Sequence, residues 1–387
     1  MKWLVFGLGL LLVLAVLGFF TLGPGIAEQR MNKVDAVHFP VGSAAKKLHK
    51  TLLVADLHAD SLLWNRNLLA HGKRGHVDLP RLQAGNVALQ VFTTVTKSPA
   101  GLNNVSNAAK ARDNITLLAV AQLWPRSTWR SLSARAIHQA RRLKGFVDDS
   151  DQQLVLVQTK LDLSQLLARR RNGEPVVGAL LGTEGSHALD GNLDNVQRLF
   201  DAGFRMMSLQ HFFDNALGGS LHGIDKGGLS EFGRQVVREI ERLGIMLDVS
   251  HSSEKVVRET LAITKRPLIV SHTGIRGHCD TPRNISDELM KRIADGGGLV
   301  GTGYWQHAAC DITPVGIAKS IIAAVELLGD DHVALGSDFD GAVTTGFDAA
   351  EMAKLTQALL ELGTSEQTIR KVMGENQLRF FATYLPD

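Results

Sequence analysis

The sequence predicts an α/β fold, a (β/α)8 TIM-type barrel preceded by one N-terminal transmembrane helix. Eight short runs rich in β-branched and apolar residues alternate with helix-like segments, which is typical of βαβ units and a parallel sheet. Eight is the number of strands that closes such a barrel. Ahead of them, residues 3–22 are almost wholly apolar and uncharged, and about 20 such residues span a bilayer core.

The N-terminal apolar run, Trp3–Leu22, is preceded by Lys2 and followed by Gly23-Pro24-Gly25. It exceeds the apolar region of about 7–15 residues that is usual in signal peptides. We therefore expect residues 1–27 to be an uncleaved signal anchor, with the rest of the chain on the non-cytoplasmic (periplasmic or extracellular) side. Cleavage after Ala27 is the alternative, and it would make the protein secreted.

The barrel domain is predicted over residues 51–387, after a tether at 28–50. A helical insertion at about 97–174, with a small strand at Leu154–Val157, is expected to lie over the barrel mouth. A doubly wound open sheet is the alternative fold, but the end of the first strand lacks a phosphate-binding glycine pattern. The predicted strands are Leu52–Leu57, Ala88–Val95, Val176–Leu181, Phe204–Leu209, Ile245–Val249, Leu268–Ser271, Leu299–Gly303 and Val333–Gly336.

Charge and cysteine content exclude two classes of protein. The net charge is only +3, with basic and acidic residues mixed along the chain, so the sequence lacks the basic stripe that nucleic-acid binding needs. Two cysteines, Cys279 and Cys310, are too few for a disulfide framework. One disulfide between them is an alternative in an oxidising compartment, but we expect free thiols because large domains rarely need such a bond.

Metal-ligating side chains recur at the ends of the predicted strands. In a parallel barrel these ends share one rim, where the active sites of such barrels are built. The loop histidines are expected to be solvated or to support the site, and His71, His76 and His138 to lie at the surface. The strand-end set is His58, Asp60, Glu184, His211, His251, His272, Asp338 and Asp340.

The chemistry of this set suits zinc, since it offers nitrogen and oxygen without a thiolate, and less decisively manganese or iron. His58 and Asp60 lie two apart in an extended chain, so both face the same side. Glu184 can offer one oxygen to each of two ions, and His251 and His272 can share the second. A water that bridges two such ions loses a proton near neutral pH and becomes a nucleophile. The residues therefore predict a two-metal hydrolase.

The sequence resembles the membrane (renal-type) dipeptidase family of zinc peptidases from about Leu52 to Phe381. The resemblance implies a (β/α)8 barrel that hydrolyses dipeptides, often with a D-residue at the carboxyl end. The chain departs from mammalian members in its N-terminal anchor and in Ala59, where Asn is common, which affects substrate range more than chemistry. The matching motifs are Asp56-Leu57-His58-Ala59-Asp60, Gly182-Thr183-Glu184-Gly185, Ser208-Leu209-Gln210-His211, Leu247-Asp248-Val249-Ser250-His251, Ser271-His272 with Arg283-Asn284, and Gly336-Ser337-Asp338-Phe339-Asp340-Gly341.

The resemblance also implies a ligand set for two zinc ions. His58, Asp60 and Glu184 would hold one ion, and Glu184, His251 and His272 would hold the other. Homodimers are usual in the family and are the assembly that the resemblance suggests. Two alternatives stay open: a two-metal hydrolase of another amide, lactam or lactone, and a membrane-anchored protein that binds metal without turnover.

Three further residues, His211, Arg283 and Asp338, receive roles from the same resemblance. His211 would bind substrate and stabilise the tetrahedral oxyanion. Arg283 would bind the free carboxylate, which suits its forked guanidinium. Asp338 would contact the substrate and pass a proton to the leaving amine, and Tyr304 is a further candidate for substrate binding.

Overall fold

The computed structural model describes residues 2–387, and its centre is a closed barrel of parallel strands. Every residue of the eight barrel strands is buried, because helices cover the outside and side chains fill the inside. Strands that are buried on both faces have nearly continuous apolar sequences. In chain order the strands are β1 (Lys33–Val34), β2 (Val54–Ala59), β3 (Val87–Val95), β4 (Leu154–Leu156), β5 (Val177–Glu184), β6 (Phe204–Ser208), β7 (Met246–Asp248), β8 (Ile269–Thr273), β9 (Leu299–Thr302), β10 (Val333–Leu335) and β11 (Thr344–Thr345).

The helices between the strands begin at polar capping residues. Ser230, Ser253 and Thr313, for example, each accept a hydrogen bond from a backbone N–H in the first turn of the next helix, which satisfies one of its unpaired donors. The helices are α1 (Lys2–Thr21), α2 (Gly23–Met31), α3 (Ser43–His49), α4 (Leu79–Ala84), α5 (Asn114–Ala121), α6 (Leu132–Asp148), α7 (Lys160–Arg171), α8 (Asp194–Asp201), α9 (Glu231–Arg242), α10 (Glu254–Ile263), α11 (Asp287–Asp295), α12 (Gln306–Ala309), α13 (Pro314–Leu328), α14 (Ala353–Glu361), α15 (Glu366–Arg370) and α16 (Asn376–Tyr384).

The barrel closes in the order β3-β2-β10-β9-β8-β7-β6-β5, and β5 pairs back with β3. The closing pair runs in register from Leu89 opposite Gly178 to Val95 opposite Glu184. The small strand β4 pairs with the first residues of β5. The predicted fold is confirmed, with all eight strands present and their ends within three residues of the expected positions.

An apolar layer fills the barrel below the rim. One cluster takes buried side chains from all eight barrel strands, among them Leu57, Leu180 and Ile269, and includes Phe381 of α16. Glu184 lies four residues after Leu180 on the same strand, so both side chains face the same side of β5. The strand therefore changes from apolar to metal-ligating as it approaches its carboxyl end.

The N-terminal segment leaves the barrel at this same rim. Among the described residues, α1 is the one helix long and apolar enough to cross a membrane, with a mean hydropathy of 2.6, and none of its residues is buried. The segment predicted as a tether contacts the barrel directly. The carboxylate of Glu28 is buried and lies 3.0 Å from Arg66 Nε and 3.1 Å from Arg74 Nε. Strand β1 then pairs with β11, just beyond the predicted proton-carrying Asp338.

The insertion between β3 and β5 contains α5, α6 and α7, together with β4 at the position predicted for a small strand. Its first part reaches over the rim, where α5 contacts both α1 and α2. The buried Arg135 of α6 secures this part, since its guanidinium donates to Thr96 O at 2.6 Å and to Asp113 Oδ2 at 2.5 Å.

Cys279 and Cys310 form a disulfide, so the expectation of free thiols is wrong. Their Cα atoms are 5.5 Å apart. The bond joins the loop after β8, which carries Arg283, to the loop after β9. A count of two cysteines cannot reveal this pairing, because it depends on two loops that meet only in the folded barrel.

Replacing both cysteines (Cys279→Ser with Cys310→Ser) is expected to lower the free energy of unfolding by about 4 kcal/mol, because the bond closes a long loop in the unfolded chain, with a sequence separation of 31. Denaturant unfolding of the two proteins measures the difference. A reductant should destabilise the native protein and leave the double variant unchanged. Equal stability of both proteins under oxidising conditions would contradict this expectation.

Candidate metal centre and active site

The seven side chains predicted to bind metal or carry the chemistry lie together at the carboxyl ends of the barrel strands. All are buried, the most exposed at 7%. Most of them also line one cavity of about 1060 Å³ that opens at the rim. The seven are His58, Asp60, Glu184, His211, His251, His272 and Asp338.

The first group of ligands forms where β2 ends beside β3 and β5. The Nε2 atom of His58 lies 3.6 Å from Asp60 Oδ1 and 3.6 Å from Glu184 Oε1. Thr93 Oγ1 donates to Asp60 Oδ1 at 2.6 Å, which fixes that carboxylate. These three residues are close enough to hold one ion between them, as the sequence predicts.

The second group forms at the ends of β7 and β8. Glu184 Oε1 lies 3.2 Å from His251 Nε2 and 3.4 Å from His272 Nε2. The two imidazole Nε2 atoms are 2.9 Å apart. Two ring nitrogens aimed at one point beside a carboxylate oxygen are an arrangement that a cation can satisfy.

Glu184 lies between the two groups, and its other oxygen faces a third neighbour. Glu184 Oε2 is 3.3 Å from His211 Nε2, so Glu184, His211 and His251 also lie within ligating reach of one another. The same holds for Asp338 with His58 and His272. The sequence assigns His211 and Asp338 to the substrate, and the structure places both against the ligand set.

Two of these side chains are held by backbone in the left-handed region. His251 has φ 61° and Asp338 has φ 59°, a conformation that non-glycine residues adopt uncommonly. Such positions cluster at active sites, where the surrounding structure maintains them. Here they turn the chain so that each side chain points into the rim directly after its strand.

A second layer of polar groups orients the imidazoles, and sequence reasoning missed it. Ser271 Oγ donates to Asp248 Oδ2 at 2.7 Å. The same oxygen lies 3.1 Å from His58 Nδ1 and 2.9 Å from His272 Nδ1. Because its single hydrogen is given to Asp248, it can only accept from both rings. Each ring therefore carries its hydrogen on Nδ1 and presents a bare Nε2 to the centre, as metal-ligating histidines do.

The pKa shifts of the buried side chains indicate that a bound cation would stabilise the site. Burial raises the pKa of Glu184 well above its usual value, and repulsion from Asp60 and Asp338 adds to the rise. Burial likewise raises the pKa of Asp338 to about 8, although His58 opposes the rise. It lowers the pKa of His251 and of His272 well below the usual value, with help from the charge of Arg283.

The nitrogen and oxygen atoms at the rim are arranged as a bound metal ion would require. The Nε2 atom of His58 is buried and has no hydrogen-bond partner among residues 2–387. It faces Asp60 and Glu184, and three buried carboxyl groups lie beside the imidazoles of the site. A divalent cation would satisfy these lone pairs and offset the carboxylate charge.

Comparison with known proteins identifies the family. The sequence profile of the membrane dipeptidase family (peptidase family M19) matches residues 43–384. The chain belongs to this family. It is similar to an uncharacterised dipeptidase of Schizosaccharomyces pombe, to which it is 27% identical over 323 residues, covering 80% of this chain and 72% of the yeast protein.

Two solved structures share the fold of this dipeptidase. One is dipeptidase AC, with a TM-score of 0.72 and 23% identity over 87% of this chain and 100% of that chain. The other is a metallopeptidase from Rhodobacter sphaeroides bound to a phosphinate mimic of the dipeptide L-Ala-D-Ala, with a TM-score of 0.68 and 23% identity over 87% of this chain and 99% of that one. Family membership makes this protein a metallo-dipeptidase, and the fold agrees with it.

Arg283 of the dipeptidase is buried beside the ligand set and lines the cavity. Its Nη2 donates to His272 O at 2.8 Å, and the guanidinium lies over the Trp305 ring at 5.1 Å. Its Nε has no hydrogen-bond partner within residues 2–387. Burial lowers the pKa of Arg283 to about 10, so the side chain remains a cation at neutral pH.

Tyr304 does not line this cavity. Its ring is fully buried and packs against Phe339 and Phe347, with centroids 5.6 Å and 5.3 Å away. The neighbouring Trp305 lines the cavity instead. Tyr304 is a candidate for substrate binding from the sequence, but the chain turns this side chain into the core.

Asp340 and His76 form a support beside the site. Asp340 accepts hydrogen bonds from Ser61 Oγ at 2.5 Å and from His76 N at 2.6 Å, and it pairs with Arg66. His76, expected at the surface, is fully buried, because its Nδ1 accepts from Asp340 N and its Nε2 donates to Lys33 O, both at 2.9 Å. Burial alone would raise the pKa of Asp340, but Arg66 and His76 hold it well below its usual value.

The Asp340→Asn substitution is expected to lower the free energy of unfolding at pH 7 by about 3 kcal/mol, because it removes one of the two buried carboxylates, Asp340 and Glu28, that pair with Arg66. A depressed folded pKa stabilises above the unfolded pKa of about 3.9, and this contribution is lost as the pH falls toward the folded value. Urea unfolding between neutral pH and pH 3 should show the two proteins converging below about pH 4.

The matched control for this substitution is Asp35→Asn, since Asp35 is exposed on the neighbouring segment. Its stability should follow that of the native protein throughout. A gap between Asp340→Asn and the native protein that stays constant down to pH 3 would show that the carboxylate charge is not the source of the stabilisation.

Proposed function

We propose that this chain is a two-zinc dipeptidase anchored to a membrane by α1, with its catalytic domain on the non-cytoplasmic side. The position of Glu184 carries the proposal, because its carboxylate lies between His58 and Asp60 on one side and His251 and His272 on the other. The ligands offer only nitrogen and oxygen, and a set rich in imidazole favours zinc over magnesium or calcium.

The proposed ligand sets are those that the family resemblance implies, and the distances are compatible with them. His58, Asp60 and Glu184 would hold one ion, and Glu184, His251 and His272 the other. Zinc bound in such a pair supplies a water nucleophile at neutral pH and polarises the scissile carbonyl. The chain contributes fixed imidazoles, since Ser271 keeps His58 and His272 in the ligating tautomer.

His211 and Asp338 would serve the peptide bond itself. Burial lowers the pKa of His211 to about 4, so the ring is neutral and carries one hydrogen. It would donate to the carbonyl oxygen from Nε2 by exchanging its 3.3 Å Nδ1 contact with Lys97 O for the substrate, a contribution that is often large in such sites. Asp338 lines the cavity with Oδ1 4.0 Å from His58 Nε2. A carboxyl group there can pass a proton to the leaving amine.

Arg283 would bind the free carboxylate of the substrate, which selects substrates with a free carboxyl end over amidated ones. A dipeptide with a D-residue at the carboxyl end is a candidate substrate, supported by the L-Ala-D-Ala mimic bound to the R. sphaeroides metallopeptidase. Activity on another amide, lactam or lactone is the second candidate, and the cavity of about 1060 Å³ has room for it. Homodimer formation stays a prediction.

Replacing a ligand of the second ion tests the metal centre. His251→Ala or His272→Ala is expected to reduce bound zinc from two ions per chain toward one. Activity should fall by about 10³-fold, since a lost Lewis acid removes several kcal/mol of transition-state stabilisation. Elemental analysis and dipeptide turnover, measured on the same preparations, give both values.

The control for these variants is His278→Ala, because His278 is an exposed histidine of a rim loop. It should keep the zinc content and the activity of the native protein. Full zinc and full turnover in both ligand variants would disprove the two-ion site. Full zinc with no hydrolysis of any dipeptide, lactam or lactone by the native protein would favour a metal-binding protein without turnover.

Arg283→Ala tests the carboxylate clamp. Loss of a charge-assisted bidentate contact should lower kcat/KM for a dipeptide by about 100-fold, while a C-terminally amidated dipeptide should lose much less. Arg276→Ala is the matched control, because Arg276 lies on the same loop with a side chain 38% exposed. An equal loss on the free and amidated substrates would assign Arg283 to folding or to the metal site.

A further inference from the structure

The mouth of the active-site cavity lies where α1 meets the barrel. Phe19, in the last turn of α1, lines the cavity, as do Pro24, Ala27 and Met31 of α2. A spanning helix of about 20 residues is as long as the hydrocarbon core is thick. The end of α1 therefore marks the bilayer surface, and the cavity opens at that level.

Exposed apolar side chains surround this opening. Leu102, Val105 and Leu117 of the insertion are 42%, 60% and 56% exposed, and all three line the same cavity as Phe19. Leu123 and Trp129 extend the apolar surface beyond α5, at 70% and 36% exposure. We call these five residues the insertion rim. Exposed apolar patches of this kind mark interaction surfaces.

Basic residues accompany the insertion rim. Residues 97–130 contain five basic residues and one acidic residue, Asp113, whose carboxylate is occupied by Arg135 at 2.5 Å. Lys110, Arg112, Arg126 and Arg130 are exposed or partly exposed. Apolar residues combined with uncompensated basic charge are the composition of a surface that lies on anionic lipid.

We propose that the insertion rim docks on the anionic bilayer that α1 spans, so that the active site opens at the membrane surface. The inference rests on the proposed membrane anchoring and adds a second membrane contact, made by the catalytic domain. The bilayer is the expected occupant of this surface because α5 packs against α1 and α2. This packing places the insertion rim and the end of α1 at the same surface. Substrate would then enter the cavity from the lipid–water interface.

Depth-dependent fluorescence quenching of the full-length protein in vesicles tests this proposal. Both native cysteines are bonded, so Leu117→Cys provides a single thiol for an environment-sensitive dye. With nitroxide-labelled lipid in phosphatidylcholine–phosphatidylglycerol vesicles, position 117 should lose about half of its emission or more, because interfacial residues sink about 5–10 Å into the headgroup and acyl boundary. Leu362→Cys, exposed at the end of α14, should stay unquenched.

A dye at Leu10→Cys, in the middle of α1, separates the two proposals. Quenching at 10 without quenching at 117 means that the anchor inserts and the insertion rim stays in water, which overturns the docking proposal alone. Absence of quenching at 10 overturns the membrane anchoring and the docking with it. Equal quenching at 117 and 362 would indicate nonspecific adsorption and would also overturn the docking.

Two double charge-reversal variants test whether docking requires anionic lipid. Arg126→Glu with Arg130→Glu, introduced beside the dye at 117, should reduce the quenching on anionic vesicles. Lys46→Glu with Lys47→Glu, on exposed positions of α3, makes the same change in charge elsewhere and should leave the quenching unchanged. An equal reduction by both pairs, or by neither, would contradict docking through the basic residues of the insertion.

Discussion

The burial of Glu184 is the constraint on which the site depends. Its carboxylate lies 3% exposed among four imidazoles, and Asp60 and Asp338 share the same cavity. Removing several carboxylates from water costs free energy that one guanidinium, Arg283, cannot offset. Cations bound between the two ligand groups would supply the missing charge. The apolar layer beneath, which includes Leu180 on the same strand, provides stability that does not depend on the rim.

The barrel brings ligands from distant parts of the chain together, and a second set of contacts aims them. Parallel closure places the ends of β2, β5, β7, β8 and β10 on one edge. The Ser271–Asp248 pair then fixes two imidazole tautomers at once, since a single hydroxyl accepts from both rings. Left-handed backbone at His251 and Asp338 orients these two side chains into the rim. Strand geometry thus supplies proximity, and local hydrogen bonding supplies orientation.

Periodicity and strand ends make the barrel and its ligands predictable from sequence, whereas features that depend on loops are not. The eight strands and the convergence of His58, Glu184 and His272 are consequences of barrel geometry. The Cys279–Cys310 bond depends on two loops meeting, which no spacing reveals. Residues such as Ser271 or His76 give no signal of their own, because serine and histidine occur in many settings. The available clue is Asp248, an acidic residue in an otherwise apolar strand, three positions before the predicted ligand His251.

The N-terminal segment is joined to the catalytic rim through buried charge. Glu28 pairs with Arg66, Arg66 pairs with Asp340, and Asp340 lies two residues after Asp338. Asn32 Oδ1 accepts from Ala342 N at 2.8 Å, and β1 pairs with β11 just beyond. The loop that carries Asp338 is therefore braced by residues that directly follow the apolar helix. A segment that only tethered the barrel would have no reason to bury a carboxylate there, since an unpaired buried charge is costly. The end of α1 and the segment that follows it are therefore structurally part of the active-site wall.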